Sequence, residues 1–348
     1  MAALPRMRRA LLDRLREGEL PPGWQEKLRD WVSRAAGEAM AGINASSAIV
    51  DLLAEAIPEL VSGAPDLEGP TQHKRRLRAF TATDEGGRYV HYGVREHAMG
   101  AMLNGMAAHG GVVPLGVTYL VFSDYERPAI RLAAMMGLPV KFVFSHDSIG
   151  IGRNGPTHQP VEFLSSLRAI PNLLVLRPAD AVEAAEAWEM ALRHRDGPCA
   201  LIFSRQVLPP VRHQISTENR VARGGYILAE AEGGERQVTL IGTGSEVAIA
   251  LAAREVLQGE GVPTAVVSLP CWEIFSQQDP TYRAAVLGFT TVRVAVEAAV
   301  RHGWERWIGE DGGFIGMSGY GASGPEDELL AHFGITAERV VAEARSRL

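Results

Sequence analysis

Two stretches carry more titratable and aromatic side chains than a packed core accommodates. The first is His91-Tyr92-Gly93-Val94-Arg95-Glu96-His97-Ala98-Met99-Gly100, which sets a carboxylate, Glu96, where an apolar helical pattern begins. The second, FSHDSIGIGRNGPTHQP at 144–160, leaves an apolar run and enters a glycine-punctuated loop holding His146 and His158. Carboxylate and imidazole are the usual proton-transfer groups near neutral pH. Either histidine alone reads as a surface or capping residue; two in one loop after one strand read as a site. A third stretch, Gly242-Thr243-Gly244-Ser245, lies between a strand pattern and a helix pattern, where backbone amides can hold an anion. It has only two of the three glycines of the dinucleotide fingerprint and no clearly placed acidic residue about 20 positions on. A tight βα turn is the expected role. The run Gln72-His73-Lys74-Arg75-Arg76-Leu77-Arg78 adds a dense group of cations, and such runs are ordinarily solvated.

From Ser47 onward the sequence alternates between short β-rich runs and longer helical patterns. That order predicts α/β architecture with parallel sheets, whose ligands bind outside the carboxyl ends of the strands. Helices are expected at 47–57, 96–109, 127–136 and 180–194, the last with Asp180 as its N-cap. Strands are expected at 112–119, 140–145, 173–176 and 199–203. Leu208-Pro209-Pro210 breaks the pattern, and the next polar stretch has no periodicity. Beyond it, strands at 237–241 and 264–269 flank a helix at 246–258, with a further strand at 291–297. The expected organisation is a helical arm or linker over 1–42, a domain over 43–212, a linker over 213–223 and a second domain over 224–348. Both domains are parallel-sheet α/β units.

Composition narrows the classes of function. The 348 residues are 46% hydrophobic and 22% charged, which excludes a disordered chain. No stretch approaches the ~20 apolar residues of a membrane span. A net charge of -6 argues against nucleic-acid binding. Cys199 and Cys271 are the only cysteines, so neither a disulfide framework nor a metal knuckle is expected. The N-terminal segment carries Asp13, Glu17 and Glu19 and lacks an apolar secretory core. A cytoplasmic location is the expectation.

The motifs REHAMGAMLNGMAAHGG, TYLVFSDYERPAIRLAAMMGLPV, HDSIG, GPTHQPVE, SLRAIPNLLVLRPAD and SRQVLP occur in this order, followed by TGSEV, SLPCWEIF and VAVEAAVRHGWERWIGEDGGFIGMSGYGASGP. In these the sequence resembles the transketolase family over roughly residues 20–348. The resemblance covers the family's pyrimidine-binding and C-terminal domains only. The Gly-Asp-Gly...Asn motif, through which the family's N-terminal domain holds Mg2+ and the diphosphate of thiamine diphosphate, does not occur. Residues 1–42 resemble the tail of that missing domain and its linker. The resemblance therefore implies a separate partner subunit carrying the diphosphate and Mg2+ half, in a heterotetramer of two copies of each subunit, and no metal ligand on this chain.

By the resemblance, Glu96 matches the carboxyl that bonds a ring nitrogen of the cofactor's pyrimidine, and His158 the histidine that meets the substrate oxygen and helps proton transfer. Tyr119, Phe122 and Tyr125 match the aromatic positions around the aminopyrimidine, the first being usually Phe. Asp66 matches the Asp near the thiazolium side. His146 and Arg205 match contacts to a sugar phosphate. Arg153-Asn154 stand where the family has an acidic pair whose second member reads a substrate hydroxyl. Two further phosphate contacts, an arginine and a serine, align with Ile43 and Pro70, which cannot replace them. These departures predict an atypical acceptor, an acidic aldehyde met by Arg153 and the Lys74–Arg78 run, carried by an acidic protein or free; alternatively, the run replaces the lost phosphate contacts. The β subunit of 2-oxoacid dehydrogenases and deoxyxylulose phosphate synthase share the superfold without this motif combination. A non-catalytic scaffold or regulatory subunit is the alternative from another class, and the joint retention of Glu96, His158 and the aromatic trio argues against it.

Overall fold

The computed structural model describes residues 6–213, 216, 218–289 and 291–348. Its strands are β1 (Met40–Ala41), β2 (Leu60–Ala64), β3 (Tyr89–His91), β4 (Val113–Tyr119), β5 (Lys141–Ser145), β6 (Leu174–Leu176), β7 (Cys199–Ile202), β8 (Val207–Leu208), β9 (Tyr226–Ala229), β10 (Val238–Gly242), β11 (Thr264–Ser268), β12 (Val292–Val300) and β13 (Gly313–Met317). Six of them form a wholly parallel sheet in the order β3-β2-β4-β5-β7-β6. Five form a second sheet, β13-β12-β10-β11-β9, parallel except for the antiparallel edge strand β9. The short antiparallel pair β1–β8 joins the start and the end of the first unit.

The central strands KFVFS, CALI, VTLIG and TAVVS are buried throughout, as a sheet covered on both faces requires. Alternation sorts them: Val143 joins one core cluster, Phe142 and Phe144 the other. In the second sheet Leu240 and Val294 pack on one face, Ile241 and Ala295 on the other. The N-terminal arm is two helices, Arg6–Glu17 and Trp24–Ala35. The second buries Trp24, Leu28, Val32 and Ala35 on the first core, whereas Leu11 and Leu12 of the first remain exposed.

Two expected helices begin earlier than predicted. One runs Gly42–Ala56, and Gly42 leads it because a Cβ there would lie 3.0 Å from the Ser204 backbone nitrogen. The other runs Ser123–Met136, with the chain entering through a 3-10 turn at Leu120–Phe122, so Pro128 lies inside the helix and not at its start. The helix Glu96–His109 has the predicted bounds, and Asp180 caps the helix Ala181–Arg193 by accepting from the Glu183 backbone N–H at 2.9 Å.

The two units meet on a buried arginine. Arg177, at the end of β6, donates to Asp147 at 2.7 Å and to the Thr243 carbonyl at 2.8 Å, and pairs with Glu246. The Gly242-Thr243-Gly244-Ser245 turn is thus filled by a side chain of the other unit. A Cβ on Gly244, which has φ +57°, would lie 2.7 Å from the Arg177 Nε. Among the described residues no helix is long and apolar enough to cross a membrane. Cys199 and Cys271 are both free and buried.

Candidate active site

Strand order brings the chemistry-bearing residues together. Reading across the carboxyl edge of the first sheet, β3 leads toward Glu96, β2 into Asp66, and β4 into Tyr119, Phe122 and Tyr125. Next, β5 runs into His146 and the loop to His158, and β7 into Arg205. Five adjacent strand ends therefore supply one site, at the edge where parallel sheets bind ligands.

The aromatic side chains form a continuous row. Tyr119 stacks on His146 with centroids 3.6 Å apart and on Phe122 at 5.7 Å. Phe122 continues to Tyr125 at 6.0 Å and meets the His158 ring edge-on at 5.7 Å. His146 holds a left-handed backbone at φ +62°, an uncommon conformation for a side chain of this type. Its Nδ1 lies 2.8 Å from the Ser145 hydroxyl. Burial, with the nearby Arg205 and His158, pushes its pKa down to about 3, so the ring is neutral in the physiological range. His158 sits at the mouth, its Nδ1 3.1 Å from the Thr157 hydroxyl, leaving Nε2 for a ligand.

Glu96 opens its helix and is buried, yet its carboxylate has no hydrogen-bond or ion-pair partner among the described residues. It faces a second carboxyl that the sequence reading missed. Glu126, one residue after Tyr125, is fully buried, and neither of its oxygens has a partner among the described residues. Burial first, then the Glu96 charge, pushes its pKa well above the usual carboxylate range. The pattern of the Ser123–Met136 helix held the clue: Glu126 shares its buried face with Ala129, Ile130 and Ala133. The helices touch at Gly100, where a Cβ would lie 2.8 Å from Ala129 and 2.9 Å from Glu126.

Asp66 lies exposed just beyond β2 with φ +63°, on the shared edge. Arg153, Asn154 and Arg205 line a common cavity. The Lys74–Arg78 run is mostly neutralised within the chain. Lys74 pairs with Glu68, Arg76 with Asp51 and Glu55, and Arg78 with Asp84.

The donor set suits a flat, nitrogen-bearing aromatic ring: a row of stacking side chains at the same sheet edge as Glu96, a carboxyl with no partner among the described residues. Among the described residues no cluster of three or more His, Cys, Asp or Glu is arranged to hold a metal ion.

Comparison with known proteins gives a consistent answer. Residues 38–211 match the family model "Transketolase, pyrimidine binding domain", and residues 224–336 match "Transketolase-like TK C-terminal domain". A transketolase of Cereibacter sphaeroides is 50% identical over 334 residues, covering 94% of this chain and 50% of that protein. One from Geobacillus stearothermophilus is 43% identical, covering 97% of this chain and 51% of its own. The solved transketolase of Leishmania mexicana superposes with a TM-score of 0.90 at 41% identity, over 97% of this chain and 49% of that one. A structure titled "Split gene transketolase, inactive beta4 tetramer" shares the fold, with a TM-score of 0.72 at 23% identity over 89% of this chain and 98% of its own. The chain spans about half the length of the curated relatives it matches.

Proposed function

This chain belongs to the transketolase family, and from that premise we propose that it is one of two subunits of a thiamine diphosphate-dependent enzyme moving a two-carbon ketol unit from a ketose to an aldehyde. One observation carries the reading: Glu96, a carboxyl without a partner among the described residues, lies near Glu126 on the helix of Tyr125, at the sheet edge that carries the row Tyr119, Phe122 and Tyr125, with His146 buried in that row and His158 at its mouth. In this reading residues 43–212 bind the pyrimidine half of the cofactor and residues 224–348 form the C-terminal domain. The Gly-Asp-Gly...Asn motif for the diphosphate and its Mg2+ is absent from the sequence. We assign that half to a partner subunit, with two copies of each chain in the assembly. The solved neighbour described as "Split gene transketolase, inactive beta4 tetramer" supports the division between two chains. Buried, unpaired thiols at Cys199 and Cys271 suit a reducing cytoplasm.

Thiamine diphosphate, when bound, supplies the carbon nucleophile of the transfer. The residues of this chain do the rest. Glu96 shares a proton with a pyrimidine nitrogen and so fixes which nitrogen of the ring carries hydrogen. The aromatic row holds the ring plane, and Asp66 lines the neighbouring strand end. His158 moves a proton at Nε2 to and from a substrate oxygen, its Nδ1 being engaged by Thr157. His146, kept neutral, is held by Ser145 and by its stack on Tyr119, and it orients the substrate. Arg205, Arg153 and Asn154 face the acceptor, which we take to be an anionic aldehyde. With most of the Lys74–Arg78 charge paired internally, docking of an acidic carrier protein has little free charge to draw on. A non-catalytic scaffold would have no use for Glu96 at one sheet edge with three stacked aromatics.

The test is co-expression with a polypeptide bearing the Gly-Asp-Gly...Asn half, followed by assay of ketol transfer from a ketose phosphate to a panel of aldehydes. Transfer is expected from the pair and from neither chain alone. Glu96→Gln in the pair should reduce turnover by about a hundredfold or more. Tight thiamine diphosphate binding with full turnover by this chain alone would overturn the two-subunit reading.

A further inference from the structure

The cavity beside Arg205 is walled on its far side by the second unit. It measures about 230 Å³, and its lining includes Arg153, Asn154, Arg205, Gln206 and Glu326. The approach is close. Gly152 has φ +77°, and a Cβ there would lie 3.1 Å from the Gly324 carbonyl, while one on Gly321 would collide with the Gln159 carboxamide. The loop after β5 and the segment leading to Glu326 therefore form one surface.

Its charges are unspent. Arg153 makes no hydrogen bond or ion pair among the described residues, and Arg205 gives only one bond, at 3.2 Å to the Ile151 carbonyl. Glu326 likewise has no partner, and the Gln206 carboxamide oxygen is buried without one. Two free guanidiniums call for an anion, whereas a carboxyl and a carboxamide oxygen call for donors. A small anion bearing hydroxyl groups satisfies both. We propose that Glu326, acting with Arg153, Arg205 and Gln206, makes the second unit part of an acceptor subsite that reads the hydroxylated, anionic end of the aldehyde. This deepens the ketol-transfer reading and rests on it for the identity of the acceptor, though the cavity's affinity for an anion does not.

The carboxyl also gives the subsite a pH response. Burial pushes the Glu326 pKa up to about 7, and Asp147, Glu246 and Asp327 push in the same direction, against the nearby Arg205. Arg177 also belongs to the group at this seam, but it is bound to Asp147 and Glu246. Below pH 7 Glu326 is a neutral donor beside the two arginines. Above it, Glu326 is an anion that repels the ligand.

Sulfate is the suitable probe, because its charge is constant from pH 6 to pH 8. Titrated into the full chain, it should bind roughly fivefold more tightly at pH 6 than at pH 8. Glu326→Gln should bind at the tighter value across the range, and Arg205→Met should weaken binding at both pH values. Sulfate affinity that is independent of pH in the wild-type chain, or pH-dependent to the same degree in Glu326→Gln, overturns the proposal. In the reconstituted pair at pH 8, Glu326→Gln should lower KM for glyceraldehyde 3-phosphate several-fold and leave KM for glyceraldehyde unchanged; an equal change in both also overturns it. A pair that transfers no ketol unit refutes the functional reading alone, since the sulfate titration still decides the subsite.

Discussion

Glu126 shows how a single residue sets a condition on the site. A fully buried carboxyl with two unpartnered oxygens is tolerated only as the neutral acid, and the Glu96 charge beside it reinforces that state. A carboxyl whose folded pKa lies above its unfolded value stabilises the fold fully below the unfolded value, and that contribution is lost as pH rises toward the folded one. From about pH 5 upward the isolated wild-type chain should therefore lose stability relative to Glu126→Gln, which carries no charge at any pH. By pH 8 the variant should be the more stable by more than ~1 kcal/mol, and at pH 4.5 the two should nearly coincide. Urea midpoints at the two pH values measure this; a constant difference would mean that Glu126 is not the titrating group. Neither the approach of Glu126 to Glu96 nor that of Glu326 to Arg205 was legible in the sequence, because each brings together groups from separate elements. Glu96 and the two histidines were legible, since residue type and position beside a local pattern suffice to mark them.

At the scale of elements, the readable strands were those with continuous apolar runs, such as 141–145 and 264–268. The unread ones have physical reasons for silence. Tyr89–His91 is three residues long, Leu60–Ala64 carries Ser and Gly, and the antiparallel edge strand Tyr226–Ala229 is only partly buried. The Gly242-Thr243-Gly244-Ser245 turn was readable as a tight turn, but its occupant was not. Arg177 reaches it from the other sheet and brings Asp147 and Glu246 with it, while Glu297 on β12 lies 3.7 Å away and takes two bonds from Arg168. Such a network can be matched in stability by apolar packing, but removing one member strands the others. Arg177→Met leaves Asp147 and Glu246 buried without their cation. It should cost about 3–5 kcal/mol in the urea unfolding of the full chain. A loss below ~1 kcal/mol would show that water replaces the guanidinium and that the seam is looser than its burial implies.

For the whole molecule, the question is what covers the outer face of the two helices behind the aromatic row. Along Ser123–Met136 the residues Tyr125, Leu132, Met135 and Met136 fall on one stripe at helical spacing, and all are exposed. The adjoining helix Glu96–His109 presents Met102 beside the open position Gly105. Large apolar side chains grouped in this way mark a protein interface. Tyr125 belongs both to this stripe and to the aromatic row, so whatever covers the stripe also closes the site. Under the two-subunit reading that cover is the polypeptide carrying the diphosphate half. Leu132→Glu with Met135→Glu alters only solvent-facing positions, so the isolated variant should keep the wild-type circular dichroism spectrum and unfolding midpoint to within ~0.5 kcal/mol. Two charges placed in a desolvated interface should nevertheless weaken its association with the partner by at least a hundredfold and abolish ketol transfer at micromolar subunit concentrations. Sedimentation of the mixed subunits separates the outcomes. A complex that forms with wild-type affinity would show that the partner closes over the site from another direction, and that this stripe is covered by something else.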